Sequence, residues 1–382
     1  MNYNHSHNND STMTVRVVCA VVFIVFSFLW LYAFQSDLLA YTQHVHSGGR
    51  TVYQPLVGAI FITAILWLLQ AVVCRFVNSR GRAYALTFFP SLLLLGILTS
   101  TNPDSTSFVN SSWLWFLPLS LLVWSLALWG ARSLRGLGVK KSVGLFSQRM
   151  WMNMLLMVVM MIGVAVLGNT NAVTHYTLRA ESAMKEGNYD EALCVGKRSL
   201  ETDGRLMTVR MYALSKKGLL GERLFAYPLV ASSQYMLPTA GRIQMLFYPT
   251  DSVYRHLGAI PRQPMQPMEY LQAILRSRQA KPAVADYLLC GYLIDKNLDA
   301  FAREIGNYYT VNDSLPRHYR EALVLYTHLR SNPVLVYHDA VLDVDYDDLR
   351  KMESACHLES QRRGKLLENY ANSYWYYYDY VD

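Results

Sequence analysis

The chain has 382 residues, of which 52% are hydrophobic and 16% charged, and its formal charge is +7. Residues 1–168 hold ten Lys/Arg against three Asp/Glu, whereas residues 169–382 hold twenty-five of each. The whole excess sits in the loops of an apolar half, so the basic balance gives no support to nucleic-acid binding.

The chain opens on a polar, Asn/His-rich head, residues 1–14, a composition that predicts a disordered cytoplasmic tail. Five apolar segments then fill residues 15–168, at about 17–34, 55–73, 83–98, 113–130 and 150–168. A bilayer core of about 30 Å needs roughly 20 apolar residues per helix, and no segment has an ionisable residue in its interior. Five such runs in succession predict a transmembrane bundle. The third is short and carries Pro90. The first is too long for a signal-peptide core and no A-x-A site follows it, so it reads as a retained anchor.

Loop charge sets the expected orientation. Arg16, Arg75, Arg80, Arg82, Arg132, Arg135, Lys140, Lys141 and Arg149 fall on one side, and Arg50 alone on the other. The N-terminus is therefore expected in the cytoplasm. Five crossings put residues 169–382 on the far side of the membrane; if the third segment does not cross, that half returns to the cytoplasm.

The polar half reads as all-α. Residues 180–204, AESAMKEGNYDEALCVGKRSLETDG, resemble a tetratricopeptide repeat, an antiparallel helix pair of about 34 residues. The match lies in Gly187, Tyr189, Glu191-Ala192-Leu193, Leu200 and Asp203, with Tyr176 at the first aromatic position. Ala180 and Gly204 depart from that repeat's usual glycine and proline. Looser pairs are expected at Leu206–Lys217 with Leu219–Leu229, turning at Gly218, and at Ala283–Ile294 with Leu298–Tyr309. Helical runs follow at Pro316–Leu329, Tyr346–Leu358 and Arg362–Tyr377, with Asn332–Val344 as a connection. The fold expected is a five-helix transmembrane bundle followed by a tetratricopeptide-like helical-hairpin domain.

The stretch QSDLLAYTQHVHSGGRTVYQPLVGAIFITAILWLL, residues 35–69, resembles the opening of an uncharacterised multi-pass membrane protein family of Bacteroides-type bacteria. The resemblance recurs in KKGLLGERLFAYP (216–228), VYRHLGAI (253–260), HYREALVLY (318–326) and NSYWYYY (372–378). It implies an inner-membrane protein with a periplasmic helical domain and carries no activity.

Chemistry-bearing groups are sparse. Asp343-x-Asp345-x-Asp347 has the opening spacing of a calcium loop, but Asp348 stands where glycine is needed, and a cap for a helix starting near Tyr346 is the simpler reading. His44 and His46 could form a metal-binding pair in a strand, yet lack a third ligand. Met150, Met152, Met154, Met157, Met160 and Met161 are soft copper ligands in principle and ordinary apolar filler otherwise. Cys194, Cys290 and Cys356 allow at most one internal disulfide, and free buried thiols are expected. No nucleotide, zinc-protease or nucleophile-elbow motif occurs. No cofactor or catalytic residue is therefore expected. The expected role is binding of an envelope protein or peptide, with lipid as the other partner and no nucleic acid. Candidate contact residues are Tyr176, Arg179, Tyr189, Arg210 and Tyr212, together with Tyr374, Trp375 and Tyr378 of the C-terminal aromatic run, which otherwise forms a closing helix. The rival is an enzyme or transport component acting on lipid or envelope glycan through Asp37, His44 and His46. A third class is a subunit that only stabilises a larger membrane complex.

Overall fold

A computed structural model describes residues 3–77, 84–103, 113–133, 148–239, 243–356 and 358–381. Arg80, Arg82, Arg135, Lys140 and Lys141 of the charge argument lie outside these residues. The chain divides into two compact units, Met1–Asn171 and Ala172–Asp382.

In the first unit α1 (Tyr3–Leu29) runs through most of the head that composition marks as disordered. A helix nucleated on an apolar stretch extends at little further cost. One π-helical turn, Trp30–Phe34, leads into α2 (Ser36–Ser47). Then come α3 (Pro55–Val77), a 3₁₀ turn (Tyr84–Phe88), α4 (Phe89–Thr99), α5 (Trp113–Ser133) and α6 (Gln148–Leu167). Four helices are long and apolar enough to cross a membrane: Met13–Phe34, Pro55–Val77, Trp113–Gly130 and Gln148–Leu167. No more than 28% of any of these windows is buried, so most of their apolar surface faces outward. That pattern is compatible with a membrane protein and inverts the rule for soluble domains.

The expected third span has a different build. It is a 3₁₀ turn followed by a short α-helix, with Pro90 in the first α-helical turn, where a missing N–H leaves no bond unmade. It is also the most enclosed element of the unit: Ala85, Phe88 and Leu95 have no exposed surface. Polar side chains of its neighbours serve it. Gln70 Nε2 donates to Tyr84 OH at 3.3 Å and to Thr87 Oγ1 at 3.2 Å. The Ala85 N–H donates to Asn153 Oδ1 at 2.8 Å, and Ser91 Oγ donates to the Leu66 carbonyl at 2.8 Å. The 3₁₀ start leaves backbone groups without helical partners, and Asn153 supplies one.

The second unit is helical throughout, with no strand among the described residues. α7 (Ala172–Lys185) turns at Gly187 (φ 79°) into α8 (Tyr189–Cys194), which Asn188 caps. α9 (Gly204–Lys216) turns at Gly218 (φ 66°) into α10 (Leu220–Arg223) and a 3₁₀ turn. Both glycines take the left-handed conformation that the turns require. The second member of each pair is shorter than the repeat pattern predicts. α8 stops because Arg210 Nη2 takes the carbonyls of Val195 (3.4 Å) and Gly196 (3.2 Å), and Tyr227 OH takes that of Leu193 (3.2 Å).

α11 (Thr250–Leu257) and α12 (Pro267–Arg276) occupy the proline-punctuated stretch where no helix was expected. Val253, Tyr254 and Leu257, then Tyr270, Leu271 and Ile274, are buried at helical spacing. α13 (Ala283–Ile294) turns at Lys296 (φ 57°) into α14 (Leu298–Glu304), followed by α15 (Arg317–Leu329). α16 (Ala340–Ala355) begins six residues before Tyr346. The single helix expected over Arg362–Tyr377 is two, α17 (Glu359–Tyr370) and α18 (Tyr374–Tyr380), because Ser373 Oγ accepts the Tyr376 N–H and starts a new helix. Tyr212, Tyr287, Tyr319, Tyr326, Phe301 and Trp375 are fully enclosed, so the tyrosine-rich composition builds the core.

Candidate functional site

The expected contact residues divide by burial. Arg179 is exposed, and Tyr176, Tyr189 and Tyr378 are half-buried. Arg210, Tyr212, Tyr374 and Trp375 are enclosed and cannot meet a partner directly. Arg210 is a positional clamp: besides bonding the end of α8, its guanidinium lies 5.3 Å from the Tyr227 ring centroid. Tyr176 packs on Gly196, where an added Cβ would come within 2.8 Å of its ring. Small-residue spacing reveals helix pairing but cannot reveal which arginine turns inward to cap a neighbour.

The C-terminal aromatic run is a plug. The Tyr374 N–H donates to Glu321 Oε2 at 2.7 Å, and Trp375 Nε1 donates to the Glu321 carbonyl at 2.8 Å. Tyr374 OH and Tyr377 OH bond the last carbonyls of α13, Leu293 at 3.2 Å and Ile294 at 2.8 Å. Glu321 also meets Arg317 Nε at 2.7 Å and His318 Nδ1 at 2.9 Å. Burial alone would raise the Glu321 carboxyl. His318, the Tyr374 N–H and Arg317 outweigh it and hold the carboxyl below the ordinary range.

One polar cluster does gather at the surface. Tyr189 lies beside Tyr248, and Tyr248 OH lies 3.2 Å from Tyr212 OH. The Tyr212 ring meets His256 edge-on at 5.6 Å, and His256 Nε2 lies 2.9 Å from Ser215 Oγ. Sequence reasoning found Tyr189 and Tyr212 but missed the other three: Tyr248 and His256 lie 36 and 41 positions from their partners Tyr212 and Ser215, and Ser215 is one hydroxyl on a helical run. Burial, then Lys216 and Lys281, lower the His256 imidazole to about 4. It is therefore neutral at pH 7 and a weaker base than an ordinary imidazole. No carboxylate is recorded as bonded to it among the described residues, and no oxyanion donor faces Ser215. The Lys217 and Gly218 N–H groups are engaged with the end of α9. The cluster is aromatic, with the positive charges of Lys216 and Lys281 beside it.

Beneath it lies Glu181, fully enclosed on α7. Its Oε2 accepts three successive N–H groups, from Leu246 (2.6 Å), Phe247 (2.7 Å) and Tyr248 (3.2 Å). Burial pushes this carboxyl up to about 7 against the pull of those three donors and of Arg205. Glu181 thereby ties the segment that carries Tyr248 to α7.

The remaining candidates do not converge. Asp343, Asp345 and Asp347 lie inside α16, where alternate residues point around the axis and form no calcium loop. The cap is Asp339, which accepts from Val341 and Leu342 N–H at 3.1 Å and from Arg320 Nη1 at 2.8 Å. His44 and His46 lie in the last turn of α2, a helix rather than the strand expected, and Asp37 in its first. Asp37 and His44 are two turns apart, about 10 Å along the axis, beyond the hydrogen-bond reach of acid–base partners. No group of three metal-binding side chains occurs among the described residues. Met150 and Met157 are buried in α6 as packing residues. Cys290 and Cys356 are buried free thiols, whereas Cys194 is exposed.

A model for a family of unknown function (DUF6057) matches residues 262–381. That stretch contains the Glu321 network and the aromatic plug but neither the Tyr189–His256 cluster nor any apolar span. Comparison with curated proteins and with solved structures gives no match.

Proposed function

We propose that this chain is an integral protein of a bacterial inner membrane, anchored by five apolar elements, with its helical second unit on the periplasmic side. In this reading α7–α8, α9–α10 and α13–α14 act as tetratricopeptide-like pairs, and the second unit binds another envelope protein or an extended peptide. The observation that carries it is the cluster of Tyr189, Tyr248, His256 and Ser215, backed by the enclosed Tyr212 and rimmed by Lys216 and Lys281. The half-buried Tyr189 and Tyr248 offer flat apolar area with a hydroxyl at the edge, at low entropy cost. The lysines favour a partner segment bearing carboxylates.

A photo-crosslinking residue in place of Tyr189, in cells expressing the intact chain, tests this. A discrete protein adduct is expected, lost when Lys216→Glu and Lys281→Glu reverse the rim charge. Adducts only to lipid or to the chain itself would overturn the binding role.

A further inference from the structure

α5 stands off from the rest of the first unit on two indole pillars. Trp113 Nε1 donates to Ser100 Oγ at 3.1 Å, and Trp124 Nε1 donates to the Leu86 carbonyl at 2.8 Å. The Trp124 ring also stacks on Phe89, with centroids 6.2 Å apart. Between the pillars lies a slot of about 370 Å³, open on one side, walled by Leu92 and Leu93 of α4, Leu119 and Val123 of α5, and Val159 and Gly163 of α6. No charged residue lines it. The hydroxyl of Ser120, its one polar side chain, is committed to the Leu117 carbonyl at 2.8 Å. A Cβ on Gly163 would meet nothing within 4 Å. Small residues ordinarily let membrane helices touch; this one faces space.

We propose that the slot holds a single acyl chain of a membrane lipid, lying lengthwise between α5 and the wall made by α4 and α6. The pillars are eleven residues apart, or about 16 Å of helix. That is close to half of the roughly 30 Å bilayer core, the depth of one leaflet. A helix of the same length and about 10 Å diameter fills on the order of 1,250 Å³. All the free space of the slot, its open side included, is about 870 Å³, so a helix from a second copy does not fit. An apolar lining gives a charged ligand nothing to bond, whereas a methylene chain restores the dispersion contacts that an empty gap forfeits. The lipid completes the packing of α5, which no other element among the described residues supplies.

The proposal rests on the membrane reading, and the test separates the two. If the chain leaves the membrane pellet in a carbonate wash, the membrane reading fails before any lipid is counted. With the chain retained, native mass spectrometry of the full-length protein in mild detergent counts bound phospholipid. One per chain is expected in the wild type and none in Gly163→Phe, whose ring enters the slot. Equal retention in both, or none in either, overturns the proposal. A second measurement holds even if that variant misfolds. Ser120→Cys with Gly163→Cys, in a Cys19→Ala, Cys74→Ala background, is treated with oxidant in native membranes. An occupied slot keeps the thiols apart, and rapid disulfide formation would mean that α5 closes on α6 with nothing between.

Discussion

Two buried glutamates give the second unit opposite responses to pH. Glu181 has a folded pKa of about 7 against an ordinary 4.5. Between those values the folded state holds a proton that the unfolded state has released, so stability falls as pH rises from about 4.5 to about 7. A shift of this size corresponds to about 3 kcal/mol. Glu321 is held below its ordinary 4.5. Its contribution is present above that value and is lost as pH falls toward its folded pKa. Unfolding of the detergent-solubilised chain, followed by near-ultraviolet circular dichroism, is therefore expected to show maximal stability on the acid side of neutrality. Glu181→Gln keeps an acceptor for the Leu246–Tyr248 N–H groups and removes the titration. It is expected to match the wild type near pH 5 and exceed it by about 2–3 kcal/mol at pH 8. A variant curve parallel to the wild type across that range would mean that Glu181 is ionised throughout. Neither glutamate stands out in the sequence, where each is one acidic residue on a helical run. Their roles come from backbone N–H groups 53 to 67 positions away.

At the scale of elements, what was legible depended on whether the deciding contact was local. Gly187 and Gly218 end helices by their own conformational freedom, so both turns could be read from the chain. α8 could not be bounded, because the groups that stop it are Arg210 and Tyr227, each more than a dozen residues away. α16 starts early because Asp339 caps it while paired with Arg320 of α15, a contact invisible to helical periodicity. The break between α17 and α18 was missed although its cause is local. Ser373 sits in an unbroken aromatic-rich pattern, and periodicity outweighed its capping preference. Ser373→Ala is expected to lower stability by about 1 kcal/mol, the usual worth of an N-cap. Deleting residues 374–382 removes the Tyr374 and Trp375 donors from Glu321 and both tyrosine hydroxyls from the α13 carbonyls, while Arg317 and His318 stay on the carboxylate; loss of the enclosed Tyr374 and Trp375 rings from the core is expected to cost at least about 3 kcal/mol. Limited proteolysis of both variants in detergent checks the order. If deletion of the plug leaves cleavage unchanged, α18 does not close the core.

For the whole molecule, the sidedness of the second unit turns on one element, Tyr84–Thr99. Its eleven α-helical residues supply about 16 Å of rise and its five 3₁₀ residues about 10 Å. The total of about 26 Å approaches the roughly 30 Å of a bilayer core, about 2 Å more than sixteen residues of pure α-helix would give. Its enclosure by α1, α3 and α6 adds a second argument: Phe88, Leu92 and Leu95 have almost no exposed surface. In the proposed reading this enclosed element is one of five crossings, and five crossings from a cytoplasmic N-terminus would put Ala172 onward outside. Cys194 offers the measurement, because it is the exposed thiol of the second unit while Cys290 and Cys356 are buried. A membrane-impermeant maleimide is expected to label the native chain in spheroplasts, and Cys194→Ser is expected to abolish that label. Labelling that appears only after the spheroplasts are lysed would mean that Tyr84–Thr99 re-enters without crossing, and the binding cluster around Tyr189 would then face the cytoplasm.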